Sequence, residues 1–236
     1  MGHKREIRDP VHGFIERSRE EEKIIDTVCF QRLRGIKQLA MAHLVYPGAM
    51  HTRFDHSIGV MHVAGRLAQK LVDDQERRDT IRLAALLHDI GHGPFSHVSE
   101  EVLSKYAIAE SGGDGIHEQI SRVIIENDKG LSDILGRDEI KNIVGLHAGT
   151  SGEAIDQEII SGALDADKQD YLLRDSYFCG VKYGVFDLER LIGTLEPHWD
   201  PADNAHVMAA SRDGVHAIEQ FVLAKYYMST QVYGHS

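Results

Sequence analysis

The segment Thr80 to Ile90, TIRLAALLHDI, restricts the possible folds of this chain more than any other stretch. Apart from Arg82 and the closing His-Asp pair it is apolar on nearly every side, so a helix here has to be surrounded by protein. An imidazole and a carboxylate in the last turn of such a helix are costly to bury without partners. His88 and Asp89 therefore need internal hydrogen bonds or a cation, and neutral imidazole and carboxylate are both good ligands for divalent metals. Gly91, Gly93 and Pro94 follow. They are expected to end the helix, glycine with left-handed backbone and proline because it cannot continue the ladder.

The remaining pattern is helical too. Five prolines in 236 residues leave room for long segments of 3.6 periodicity, and an all-α fold is predicted, a helical core with one minor β-hairpin. Two short helices are expected between Glu22 and Leu39 with Asp26 and Thr27 as an internal cap, and a long helix from Ser57 to Val72. Further helices are expected at His117–Asn127, Asp138–His147, Glu153–Ser161, Asp167–Phe178 and Gly214–Tyr233, with the hairpin between Pro197 and Arg212. The length fits a single domain, residues 1–236. Its core spans about residues 20–195, with the hairpin and last helix over about 196–236.

Composition narrows the partners. With 42% hydrophobic and 27% charged residues the chain should fold, while a net charge of −11 argues against coating duplex nucleic acid. A small anion in a local basic pocket stays open. The longest stretch without Asp, Glu, Lys or Arg, Gln38 to Thr52, is shorter than a membrane span and contains Pro47 and Gly48. The N-terminus MGHKREIRDP lacks the apolar region of a secretory signal, and Cys29 and Cys179 lie far apart. A reducing, cytoplasmic setting is the expectation.

Other polar motifs flank the His-Asp pair. HTRFDH supplies His51, Arg53 and His56 at a helix entrance, GHGPFSH supplies His92 and His97, and DADKQDYLLRD supplies Asp167, Lys168, Tyr171 and Asp175. In a helix beginning near Asp167, positions 167, 171, 174 and 175 share a face. Asp170 and Arg174 could be an ordinary i,i+4 pair on a solvated face. Tyr171 and Asp175, among Leu172, Leu173 and Phe178, fit such a face poorly.

Taken in order, His56, His88-Asp89 and Asp167 resemble the metal-binding signature of the HD superfamily of phosphohydrolases. HTRFDHSIGV, LLHDIGHGPFSH, HEQISRVII and DADKQDYLLRDSYFCGV, with IRDPVHGFIE and IIDTVCFQRLRGIKQL before them, resemble the deoxynucleoside triphosphate triphosphohydrolases, in the branch of the vertebrate dNTP-depleting restriction factor and its microbial relatives. The resemblance runs from Ile7 to Tyr233. It implies one divalent ion on His56, His88, Asp89 and Asp167, with Mn, Fe, Ni, Zn and Mg all acceptable, and hydrolysis of dNTPs to deoxynucleoside and triphosphate.

The same resemblance assigns further residues. His97 would act near the α-phosphate bridge oxygen with His117 and Glu100 orienting it, and His92 would contact phosphates or sugar. Arg53, Lys168 and Lys225 would hold the triphosphate, Gln38 and Asp175 the sugar 3′-hydroxyl. Leu39 and Tyr233 would exclude a 2′-hydroxyl, and Tyr171 would lie beside the sugar. Asp26, Gln31 and Arg34 match residues that bind a GTP or dNTP activator between subunits, and Arg5 falls near a phosphate-binding lysine of that site, which implies a homo-oligomer. The alternatives are an HD-type nucleotidase or phosphodiesterase on another nucleotide, and a nucleotide-sensing scaffold with a structural metal. Relatives usually continue past Tyr233 into a C-terminal lobe, which this sequence is expected to lack.

Overall fold

The computed structural model describes residues 5–95 and 115–234. The chain opens with an antiparallel hairpin, β1 (Glu6–Asp9) and β2 (Gly13–Glu16), in which Ile7 pairs with Ile15. One hairpin is predicted from the sequence and the described residues hold two, because four-residue strands are too short for alternation to show. Helices α1 (Arg19–Ile25) and α2 (Val28–Gln31) follow, then a 3-10 turn over Arg32–Gly35. The expected break at Asp26 and Thr27 is present, with the Thr27 side chain capping α2.

Helix α3 (Arg53–Leu71) begins four residues before the expected Ser57. Thr52 and Asp55 form a reciprocal capping box, which satisfies two end donors and places the start there. Helix α4 (Gln75–Leu87) lies along α3, and its Ile81, Leu86 and Leu87 are fully buried. Burying each such side chain contributes roughly 1.5–3 kcal/mol, enough to keep the pair together as the domain centre.

Helices α5 (Ile116–Asn127), α6 (Lys129–Ser132), α7 (Arg137–His147) and α8 (Ala154–Ser161) surround that pair. Helix α9 (Ala166–Cys179) packs on α3 and ends in a left-handed Gly180. Beyond it lie α10 (Leu188–Thr194), the hairpin β3 (Leu195–Asp200) and β4 (Ala205–Ala210), and α11 (Val215–Met228), which continues into a π turn over Ser229–Tyr233. Among the described residues two apolar clusters result. Helix α9 joins them, with Ala166 in the larger one and Leu172 in the smaller one, beside Phe186 and Phe221. The fold is all-α apart from the two hairpins. No helix among the described residues is long and apolar enough to cross a membrane.

Candidate metal centre

Three backbone features bring the polar residues together. The α3 capping box presents Arg53 and His56 within the first turn of the helix, where both are buried. The segment before it is tied down by Arg53 N–H to Ile36 O at 2.8 Å and Gln38 N–H to His51 O at 3.1 Å. The second feature is the end of α4, which stops at Leu87, so His88 is its cap and Asp89 lies in the following turn. This corrects the expectation that both lie in the last helical turn, and leaving the helix frees Asp89 to turn toward Arg53. Asp165 supplies the third by capping α9, which points Asp167 back at α3.

Gly91 also differs from expectation. It does not take left-handed backbone; glycine is required there because a Cβ would stand 2.2 Å from His117 O and 2.4 Å from Ser121 N. Ser121 Oγ accepts from Gly91 N–H at 2.8 Å and donates to His88 O at 3.1 Å. Arg32 donates to the carbonyls of His92, at 2.7 Å, and of Ile90. Sequence reasoning singled out neither Arg32 nor Ser121, since a side chain that holds a distant carbonyl leaves no local pattern.

At the centre, one ligand atom each from His56, His88 and Asp167 lie within 4.8 Å of one another. His56 Nε2 is 2.9 Å and His88 Nε2 3.8 Å from Asp167 Oδ1. Asp89 stands beside this trio, with Oδ1 3.4 Å from His88 Nε2 and Oδ2 3.8 Å from His56 Nε2. The opposite nitrogen of each ring is anchored. His56 Nδ1 meets Asp170 Oδ2 at 2.8 Å and His88 Nδ1 meets Ala85 O at 2.7 Å. Donating from Nδ1 fixes the tautomer of the neutral ring and leaves its Nε2 with a lone pair. His88 Nε2 is buried without a hydrogen-bond partner and His56 Nε2 meets only the Asp167 carboxylate, a donor set that suits a divalent cation.

Charge points the same way. Asp9, Asp89, Asp167 and Asp170 are linked in one cluster with two guanidiniums, Arg53 on Asp89 at 2.5 Å and Arg174 on Asp9 at 2.7 Å, so the carboxylates outnumber the guanidiniums and the centre favours added positive charge. Burial alone lowers the His56 imidazole, but Asp167 and Asp170 on either side raise it to about 10, so without an ion Nε2 holds a proton against Asp167, and a cation bound there would displace that proton. Burial raises Asp89, yet Arg53, His88 and His92 bring it well below the ordinary carboxylate range. His92 and His147 are pushed down to about 4 chiefly by burial and are neutral near pH 7.

His88 and Asp167 of the trio, with Asp89, border a cleft of about 310 Å³ whose walls include Gln38, Arg53, Lys168 and Tyr171, together with His92 and His117, while His56 is buried and is not among those walls. The rings of His92 and His117 stack at 4.1 Å. His147 also lines it, with Nε2 held by Ala84 O at 2.8 Å; it was missed because it stands alone at a helix end. Lys168 Nζ is engaged by Asp165 at 2.5 Å, so both nearby cations, Arg53 and Lys168, carry carboxylate partners. Asp165 is raised to about 6 by burial and by Asp167, despite that lysine.

Other expected residues fall elsewhere. Asp175 is buried, its oxygens taken by His51 Nε2 at 2.8 Å and Tyr233 Oη at 2.7 Å, and neither Asp175 nor Tyr233 is among the cleft walls. Leu39 is half-buried and Lys225 exposed on α11, both also outside those walls. Asp170 and Arg174 are an i,i+4 pair but fully buried, which overturns the solvated-face reading. Arg174 points to Asp9 and away from the face of Asp167, because the N-terminal hairpin covers that side. His97 and Glu100 lie outside the described residues.

Of the residues matched to an activator site, Gln31 Oε1 accepts from Arg34 Nε at 2.8 Å and Arg5 pairs with Glu22 at 2.8 Å. Asp26 and Gln31 border a separate, mostly apolar groove of about 810 Å³.

Comparison with known proteins adds the following. The family described as HD domain matches residues 53–175. The Methanocaldococcus jannaschii protein MJ1154 is 38% identical over 97% of this chain and 46% of its own length. Deoxynucleoside triphosphate triphosphohydrolase SAMHD1 from Bos taurus is 36% identical over 79% of this chain and 37% of its own length. A solved phosphohydrolase from Bacteroides thetaiotaomicron superposes with a TM-score of 0.84 at 32% identity, covering 99% of this chain and 55% of that one. The chain spans about half the length, or less, of the curated relatives it matches.

Proposed function

Because the chain belongs to the HD-domain family, we propose that it is a metal-dependent hydrolase that splits deoxynucleoside triphosphates into deoxynucleoside and intact triphosphate. One observation carries the reading: the cleft that borders His88 and Asp167 also collects Gln38, Arg53, Lys168 and Tyr171, the residues whose counterparts face the sugar and phosphates in the enzymes that the sequence resembles. The likeness to SAMHD1, named as a dNTP triphosphohydrolase, supports it.

His56, His88 and Asp167 would hold a divalent ion, with Asp89 completing the set. Such an ion supplies Lewis acidity toward a phosphate oxygen and lowers the pKa of water. The chain's own residues do the rest. Arg53 and Lys168, now on Asp89 and Asp165, are the cations nearest an incoming triphosphate. Arg53 offers a planar fork to its oxygens and Lys168 a point charge. Tyr171 is raised above its usual range by burial and nearby carboxylates, so its hydroxyl keeps its proton and can donate. His92, neutral, can accept or donate without adding charge. His97 and Glu100 with His117 remain the proposed proton-transfer group, and an activator at Arg5, Asp26, Gln31 and Arg34 in a homo-oligomer remains part of the proposal.

The test is incubation of the Mn²⁺-loaded chain with each dNTP, with and without GTP, and resolution of the products. Deoxynucleoside with triphosphate is expected, and His88→Ala should abolish both metal binding and turnover. Release of phosphate or pyrophosphate with a shorter nucleotide would defeat the assignment in favour of a nucleotidase. Mn²⁺ binding without turnover of any dNTP would favour a sensing scaffold.

A further inference from the structure

We infer that the N-terminal hairpin is a working part of the metal centre: His12, seated by Asp9 and Arg174, positions Asp170 so that it holds His56 with Nε2 turned toward Asp167. The inference rests on the metal reading above and concerns residues that the HD-domain match, 53–175, only partly includes.

Asp9 closes strand β1. Its Oδ1 accepts the backbone N–H of Val11 at 2.9 Å and of His12 at 2.8 Å, which shapes the turn between the strands. Its Oδ2 accepts Arg174 Nη1 at 2.7 Å, which seats the turn on α9. His12 is thereby driven inward, with a side chain 3% exposed, and its Nε2 reaches Asp170 Oδ1 at 2.7 Å. Its ring leans on His62 at 5.2 Å between centroids.

Asp170 is fully occupied. Oδ1 also accepts Arg174 Nη2 at 2.9 Å, while Oδ2 accepts Arg174 Nε and His56 Nδ1, each at 2.8 Å. Four donors cover about the four acceptor sites that a carboxylate has, so it cannot swing without breaking a bond. An acceptor locked in this way dictates that His56 carries its proton on Nδ1. Anchoring the hairpin alone would need only the Asp9–Arg174 pair. The His12 donor goes to the very carboxylate that orients a proposed ligand, and removing it leaves Oδ1 on Arg174 alone, so that the carboxylate is held less firmly against His56.

The experiment compares Mn²⁺ affinity, by isothermal titration calorimetry, and metal-free melting temperature in wild type, His12→Phe and His12→Gln. Phenylalanine keeps a ring against His62 but has no donor; glutamine restores an N–H. His12→Phe is expected to weaken Mn²⁺ binding by about 10–100-fold, the usual effect of losing a partner that orients a ligand, and His12→Gln to recover most of it. A lower melting temperature with unchanged affinity in His12→Phe would make His12 a structural anchor only, and equal losses in both variants would also overturn the inference. If His12→Phe does not fold, Asp9→Asn, which keeps the turn's acceptor, has to weaken Mn²⁺ binding; unchanged affinity there overturns the inference. Absence of Mn²⁺ binding by the wild type would instead defeat the metal reading and this inference with it.

Discussion

Asp167 and Asp170 stand three residues apart on one helix, and both touch His56, yet they are opposites. Asp170 faces the hairpin, is fully buried and accepts from two imidazoles and a guanidinium. Asp167 faces the cleft, its side chain is 35% exposed, and it meets Nε2 of His56 at 2.9 Å. Burial raises both carboxyls, but neighbouring cations and donors reverse this and keep both ionised, Asp170 far below its ordinary range and Asp167 less so. The difference separates two jobs. A carboxylate with its lone pairs taken can only orient, whereas one with lone pairs to spare can bind.

The largest test of that division removes each carboxylate in turn. Asp170→Ala leaves buried Arg174 with Asp9 alone and takes the acceptor from His12 and His56, and should cost about 3–5 kcal/mol of stability. At 2–4 °C per kcal/mol for a domain of this size, thermal melting should fall by roughly 6–20 °C. Asp167→Ala should leave metal-free melting nearly unchanged and abolish stabilisation by Mn²⁺, which in wild type reaches about 2.7 kcal/mol at a hundredfold excess over Kd. Equal melting of the two variants would erase the distinction.

A smaller perturbation reaches the same carboxylate from outside. A Cβ at Gly59 of α3 would stand 1.9 Å from Asp170 Oδ1 and 2.3 Å from Arg174 Nη2. Gly59→Ala should cost about 1–3 kcal/mol as overpacking and should weaken Mn²⁺ binding, although residue 59 lies outside the cleft walls. Unchanged affinity would mean that Asp170 can move without disturbing His56. Smallest is Thr52→Ala. Loss of the α3 cap should cost about 1 kcal/mol, visible as a melting shift of roughly 2–4 °C, with Mn²⁺ affinity within a few-fold of wild type because His56 keeps both of its carboxylate neighbours.

Much of this was legible beforehand. The helices were readable because apolar spacing and caps are local, and Thr27 was foreseen as a cap because its hydroxyl precedes an apolar run. His56, His88 and Asp167 were picked out by motif, and they do converge. The partners that hold them were not. Asp170 and Arg174 read equally well as an exposed pair, because i,i+4 spacing is the same whether the face meets water or a hairpin. His12 lies 158 residues from Asp170, and nothing near either one marks the contact.

By itself the sequence determined the all-α class, the apolar α4 that has to be central, and the residue types able to hold a cation, since these depend on composition and on spacing within a few turns. Only the tertiary structure decided which carboxylate orients and which faces the cleft, and that Asp175 is engaged by His51 and Tyr233. Lone pairs are filled by whatever folding brings within 3 Å, and those neighbours are set by packing between segments far apart in the chain.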